Sequence, residues 1–294
     1  MQKRNVLNSS RLLKLKKHRQ KTAINKILFF LLGIIILFVV SIYFSRLNAV
    51  NINNIEITGN QIVETNAIKD VVNQQITGKY FFFFPKTNIF FYPGNNIKNA
   101  LQNKFKILQD INLSIKNNHT LEVSLSERKG LYTWCGNTPP ASGVVATCYF
   151  MDENGYIFDQ APYFSGGVYF KFYGTPDVGL PLCGIPTSGD PSGCYFSQQY
   201  FSQLIFFKNI LVSFGLKPVS TYVTTDGNVD VFLSGTNSST TGPEIIFKLN
   251  DNYQTVAENL EAALTTEPLQ TEFKNKYSSL QYIDLRFGNK VYFK

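Results

Sequence analysis

Side chains able to do chemistry are sparse in this sequence, and their spacing narrows what they could do. There are two histidines, His18 and His119. His18 lies in a lysine-rich N-terminal segment and His119 in the polar turn of an expected hairpin. No H-x-x-x-H pair is present to hold a metal, and no G-x-S-x-G elbow is present for a histidine base to serve. Carboxylates can act as general acids and bases when they converge in a cleft. Here Asp152 and Glu153 fall in one expected turn and Asp226 in another, while Glu127 closes a strand beside Arg128, where solvation or ion pairing is the ordinary role. No glycine-rich loop opens a helix after a strand in the way phosphate binding requires. The expectation is a protein that is not an enzyme and takes no metal or other cofactor, with a carboxylate-only hydrolase as the remaining enzymatic alternative.

The four cysteines, Cys135, Cys148, Cys183 and Cys194, suggest a different chemistry. Zinc sites need close C-x₂₋₄-C pairs, and the separations of 13 and 11 positions do not supply them. Three disulfide pairings are open. The sequential one, Cys135 with Cys148 and Cys183 with Cys194, is favoured because each pair brackets a loop rich in Gly, Pro and Ser, "GNTPPASGVVAT" and "GIPTSGDPSG". Closing such a loop contributes on the order of 3 kcal/mol in the chain-entropy model.

Disulfides need an oxidising compartment, and the N-terminus offers a route to one. The formal charge of +8 suggests nucleic acid until it is located along the chain. Nine of the 28 basic residues precede Ile27 with no acidic residue among them, which leaves 19 against 20 acidic residues in the rest. The charge therefore belongs to a tail, residues 1–26, and no nucleic-acid partner is expected. "ILFFLLGIIILFVVSIYF", Ile27 to Phe44, follows without a charge. As a helix it is about 27 Å long, near the thickness of a bilayer core. A single membrane span over 27–45 is expected, with the basic tail cytoplasmic by the positive-inside rule and the remainder extracytoplasmic. A cleaved signal peptide is the alternative, but the apolar core is longer than such peptides carry and "SRLNAVN" is a poor cleavage site.

The roughly 250 residues beyond the span suffice for two modest domains. Over 50–128 the pattern reads strand, helix, helix, strand, strand. "INNIEITGN" is the first strand. Ile68, Val71, Val72 and Ile76 then mark a helix with Thr65 as N-cap, and Ile97, Ala100, Leu101 and Phe105 mark a second. "INLSIKNNHTLEVSLSER" is a hairpin whose Ile111, Leu113, Ile115, Leu121, Val123 and Leu125 share one face. Between the helices, "KYFFFFPKTNIFFYP" holds more aromatic rings than one core can take. Some of Phe81 to Phe84 plug the core, or the surplus forms a patch for a bilayer surface or a partner.

Over 129–294 strands dominate: a hairpin at "CYFMDENGYIFDQ", then "VYFKFY", a hairpin around Asp226-Gly227, "EIIFKLN", and "QYIDLRF" turning at Gly288-Asn289 into "KVYFK". Two helices interrupt them, one through Phe201, Leu204, Ile205, Leu211 and Val212, the other through Val256, Leu260, Ala263 and Leu264, ending at Pro268. The expected class is α+β, with a mainly antiparallel sheet and helices on one face. The final strand has alternating residues and, by this reading, nothing to cover its edge.

The order of these parts resembles the FtsQ/DivIB family of bacterial division proteins. The likeness is carried by "IEITGN" with "TNAIKDVV" after it, "LEVSLSER" running into "LYTW", and "YIDLR", with weaker support from "FMDENGYIF" and "GLPLCG". It implies a POTRA domain followed by a β domain in a single-pass protein of the inner membrane at the division septum. It also implies a scaffold that binds the bitopic division proteins FtsL and FtsB and helps control septal peptidoglycan synthesis by FtsW and FtsI. The family's partner strand adds to the last β strand, and its contact region maps onto Phe287, Lys290, Val291, Tyr292 and Phe293. The cysteines and the heavy aromatic run depart from the family pattern. The rival readings are a POTRA-bearing transport or secretion component, and a membrane-anchored accessory of an envelope enzyme.

Overall fold

The charge-free apolar run forms the C-terminal part of one long helix, α1 (Ser10–Ser45). In the computed structural model, which describes residues 10–141, 144–164, 167–177, 190–235 and 241–294, α1 is long and apolar enough from Lys16 to Ser45 to cross a membrane. Its side chains there, Phe29 and Leu37 among them, are exposed, as a lipid-facing helix requires. By its internal contacts the chain divides into two units, Met1–Leu101 with Asp110–Ser126, and Gln102–Gln109 with Glu127–Lys294.

The first unit holds β1 (Asn54–Thr58), α2 (Thr65–Ile76), a short hairpin of β2 (Lys79–Tyr80) and β3 (Phe84–Pro85), α3 (Gly94–Lys104), β4 (Leu108–Lys116) and β5 (Thr120–Glu127). The sheet order is β1-β5-β4, with β1 parallel to β5, so Ile55 and Ile57 lie beside Leu121 and Val123. Ile68, Val71, Val72 and Ile76 on α2 and Ile97 and Leu101 on α3 are buried together with Ile111, Leu121, Val123 and Leu125 of the sheet, which is the expected stripe-on-sheet core. Glycine is obligatory after β1. Gly59 sits at φ +93°, and a Cβ there would lie 1.8 Å from the Leu125 carbonyl oxygen.

Two expectations are corrected in this unit. Thr65 is the first residue of α2 rather than its cap, a position taken by Glu64, and the Thr65 hydroxyl instead accepts a hydrogen bond from Asn60 at 3.0 Å. None of Phe81 to Phe84 plugs the core: Phe81 and Phe82 are 85% and 90% exposed, Phe83 is exposed and Phe84 is half-buried. The reason is the backbone. Phe81 and Phe82 hold positive φ angles of 46° and 64°, which make a tight turn with both rings thrown outward.

The second unit is built on a nine-stranded sheet in the order β14-β13-β12-β11-β10-β9-β6-β7-β8. In chain order its elements are β6 (Tyr132–Trp134), β7 (Tyr149–Met151), β8 (Ile157–Gln160), β9 (Lys171–Tyr173), α4 (Phe201–Ser213), β10 (Pro218–Val223), β11 (Asn228–Ser234) and β12 (Thr241–Lys248), then α5 (Tyr253–Leu264), α6 (Leu269–Asn275), β13 (Tyr282–Phe287) and β14 (Lys290–Phe293). Antiparallel pairs predominate, with parallel pairs at β9/β10, β6/β9 and β12/β13. The expected stop at Pro268 is corrected: α5 already ends at Leu264 with Thr265 as its C-cap, and Pro268 is instead the N-cap of a further helix, α6. Phe172, Val229, Val231, Ile245, Phe247, Ile283 and Leu285 point to one face and pack with Phe207, Leu211, Val256 and Leu260 of the helices in a single core. Each such side chain contributes roughly 1.5–3 kcal/mol by leaving water. The molecule is thus mixed α/β, with one apolar N-terminal helix and one large sheet.

Cys135 and Cys148 are joined by a disulfide that ties the ends of the loop between β6 and β7. Cys194 is also disulfide-bonded, while Cys183 lies outside the described residues.

Candidate functional site

The terminal hairpin forms because Gly288 accepts a left-handed φ of +67°, letting a two-residue turn bring Lys290 opposite Phe287. The Asn259 side chain of α5 holds that turn by donating to the Gly288 carbonyl at 3.0 Å. Period-2 alternation then sorts the side chains. Val291 and Phe293 pack against the core beneath the helices. Tyr292 emerges on the opposite face, 50% exposed, with its ring 5.2 Å from that of Phe287, which is 56% exposed. Lys290 is exposed at the turn. The five residues singled out from the sequence therefore share one hairpin, with two serving the core and three facing solvent wholly or in part.

The main chain is sorted in the same way. Lys294 and Tyr282 exchange hydrogen bonds, Lys294 N–H to the Tyr282 carbonyl at 3.2 Å and the reverse at 3.4 Å. Phe293 is opposite Ile283 and Tyr292 opposite Asp284. In an antiparallel ladder every second residue turns its N–H and C=O to the neighbouring strand, so Tyr292 points inward and Val291 and Phe293 point theirs away from β13. Those outward groups have no main-chain partner among the described residues. The other end of the sheet is different. β8 exchanges bonds with an irregular segment, Ile157 N–H to the Cys194 carbonyl at 2.9 Å and Gly193 N–H to the Ile157 carbonyl at 2.7 Å. Among the described residues, the β8 edge is paired at Ile157, whereas the β14 edge has no strand beside it.

Behind β14, the face of the sheet opposite the helices is charged. Arg286 grips Asp284 with both arms, Nε to Oδ1 at 2.9 Å and Nη2 to Oδ2 at 2.6 Å. Burial alone would push the Asp284 carboxyl up, yet the hydrogen bonds and charge of Arg286 together outweigh it and hold the group below its ordinary value. Asp230 on β11 and Glu244 on β12 share this face. Burial raises Asp230 first, with Asp284 adding to the rise and Arg286 opposing it, and Glu244 is raised by burial and then by Asp230. No group of three or more potential metal ligands occurs among the described residues. What this arrangement can do is present a short strand edge with an aromatic pair and a polar row beside it.

Two connections went unread in the sequence. Arg128 and Asp152, quoted there in separate motifs, form a buried ion pair, with the guanidinium over the Tyr156 ring at 4.0 Å and Asp152 Oδ1 accepting from the Asn154 and Tyr156 amides. Asn259 carried no signal at all, because a polar residue on a helix gives no hint of which turn it meets. The i, i+2 spacing of Asp284 and Arg286 in a strand, by contrast, already places both on one face.

No protein-family model matches the chain, and no curated protein matches it.

Proposed function

We propose that this chain is a single-pass, membrane-anchored scaffold that takes up a strand of a partner at β14, and that the partner belongs to the bitopic division proteins of the FtsL/FtsB type. The observation that carries the reading is the open edge. Val291 and Phe293 offer N–H and C=O groups outward from a strand whose side chains are already fixed by the core, so a docking strand gains main-chain hydrogen bonds without the receptor paying to order itself. Phe287 and Tyr292 would flank the added strand on the solvent face and supply the side-chain selectivity. The strand-helix-helix-strand-strand order of the first unit supports assigning it as a POTRA domain, and α1 supports inner-membrane anchoring with the basic tail in the cytoplasm. In this role the protein would act at the septum, influencing peptidoglycan synthesis by an FtsW/FtsI pair without catalysing it.

Deleting the strand would strip Val291 and Phe293 from the core, so a milder test removes the outward donor while keeping an apolar side chain at the core position. Val291→Pro leaves the β13 ladder intact, since that N–H makes no internal bond. Co-purification of the full-length chain with an FtsL/FtsB-type pair is expected to be lost in Val291→Pro and reduced at least tenfold, about 1.4 kcal/mol, in Tyr292→Glu. Undiminished capture by a folded Val291→Pro protein would overturn the proposal. Midcell accumulation of a fluorescent fusion supports division, whereas even envelope staining favours a transport or enzyme-accessory role.

A further inference from the structure

We infer that the β2–β3 turn is a second membrane contact, inserting its phenylalanine rings into the leaflet on the side of the folded units, alongside α1. This rests on the membrane-spanning reading of α1 and goes beyond the scaffold role.

The contact that places the turn is with the apolar helix itself. The Phe38 ring meets those of Phe83 and Phe84, each at 5.9 Å and edge-on. Phe38 stands seven residues before the end of α1, or about 10 Å below it along the axis. It lies within the charge-free run, so whatever packs on it lies at hydrocarbon depth if the helix spans. Interfacial elements bury their apolar side about 5–10 Å into the headgroup and acyl boundary, which matches that depth.

The turn is held there at its base as well as its tip. Asn88 donates to the Ser45 carbonyl at 3.2 Å, and Asn51 donates to the same carbonyl at 2.9 Å and to that of Leu47 at 2.7 Å. Thr87 binds the Asn51 amide oxygen at 2.8 Å, and Ile89 N–H reaches the Val50 carbonyl at 3.0 Å. The helix end, whose last carbonyls need partners, is thereby capped by the same segment that carries the turn. Helix end and turn are thus joined by hydrogen bonds at the base and ring contacts at the tip.

Charge and exposure agree with lipid as the occupant. The tip is purely aromatic, with Phe81 and Phe82 almost wholly uncovered, while Lys79 and Lys86 stand at the base, Lys86 Nζ lying 5.7 Å from the centre of the Tyr80 ring. Apolar tip, aromatic shoulder and basic base is the depth order that membrane interfaces select. Two bulky residues held in left-handed backbone conformations to expose their rings to water would gain nothing, whereas burying those rings in acyl chains offsets the strain.

The test uses the full chain in vesicles of phosphatidylcholine and phosphatidylglycerol, with brominated acyl chains as quencher and iodide as the aqueous counterpart. Trp134 is the only native tryptophan and is buried, so reporter spectra are read as differences from the parent. Phe82→Trp is expected to emit blue-shifted and to be quenched by brominated lipid as strongly as Phe30→Trp within α1, while Ile62→Trp, an exposed site past the end of β1, responds to iodide instead. Iodide quenching of Phe82→Trp would overturn the inference, and so would shielding from both quenchers, which would mean that protein covers the ring. If Phe30→Trp itself escapes the lipid quencher, the spanning reading of α1 falls and the inserted turn falls with it.

Discussion

Among single residues, Arg286 has the most to explain. Its partner Asp284 is 5% exposed at the centre of the last long strand, and without the guanidinium a buried carboxylate would stand unpaired on the face behind the proposed docking edge. Arg286→Ala is expected to destabilise the protein by about 2 kcal/mol at neutral pH, measured by denaturant unfolding of the full chain in detergent. The pH dependence follows from the direction of the Asp284 shift. A carboxyl held below its ordinary value contributes stability above that ordinary value and loses it as pH falls through the depressed one, so the gap between parent and variant should narrow on acidification. Asp230 and Glu244 act with the opposite sign, because groups raised by burial bind protons more readily when folded and are relieved as pH falls toward the ordinary carboxylate range. A gap that stayed constant from neutral to acid pH would show that the Asp284–Arg286 pair contributes through packing alone.

Among elements, the terminal hairpin is where α5 matters most. The hydrogen bond from Asn259 to the Gly288 carbonyl is a long-range tie on a short strand, and Asn259→Ala should cost about 1 kcal/mol locally. The expected sign is faster amide exchange at Lys290 and Tyr292 with little change at Ile245 or Phe247; uniform acceleration across the sheet would mean the tie supports the whole unit. The hairpin itself was legible in the sequence, from the alternation of "QYIDLRF" and "KVYFK" about a Gly-Asn turn, and so was the division of faces. So were the disulfide between Cys135 and Cys148, both helical stripes of the first unit, and the principal strands of the second. What was not legible has physical causes. The positive φ angles at Phe81 and Phe82 have no composition signature, since phenylalanine is ordinarily a core residue and rarely left-handed. Helix α6 was hidden because a proline reads as a helix stop, whereas Pro268 stands at the start of the next helix, a place that proline also suits. The edge of β8 was hidden too, because pairing with Gly193 and Cys194 is a long-range event that no local pattern announces.

At the scale of the whole molecule, an apolar helix at one end of the chain and a free strand edge at the other suit a tethered receptor. One apolar helix is long enough to cross a bilayer, and, if it does so, an aromatic turn joined to its end would remove the swivel that a lone span allows. The strand edge at β14 is the sort of surface that soluble proteins keep short, charged or paired to prevent indiscriminate addition. Here it is four residues long and begins and is followed by lysine, while the opposite edge of the same sheet is paired at Ile157. That asymmetry is what a receptor for one strand needs. The most direct measurement is residue-resolved amide hydrogen exchange on the full chain in nanodiscs, with and without an FtsL/FtsB-type pair. The Val291 and Phe293 amides are expected to exchange freely alone and to become protected on binding, while Tyr292, already bonded to β13, changes less. Amides at Val291 and Phe293 that are protected before any partner is added, or that remain unprotected in the assembled complex, would contradict strand addition at β14.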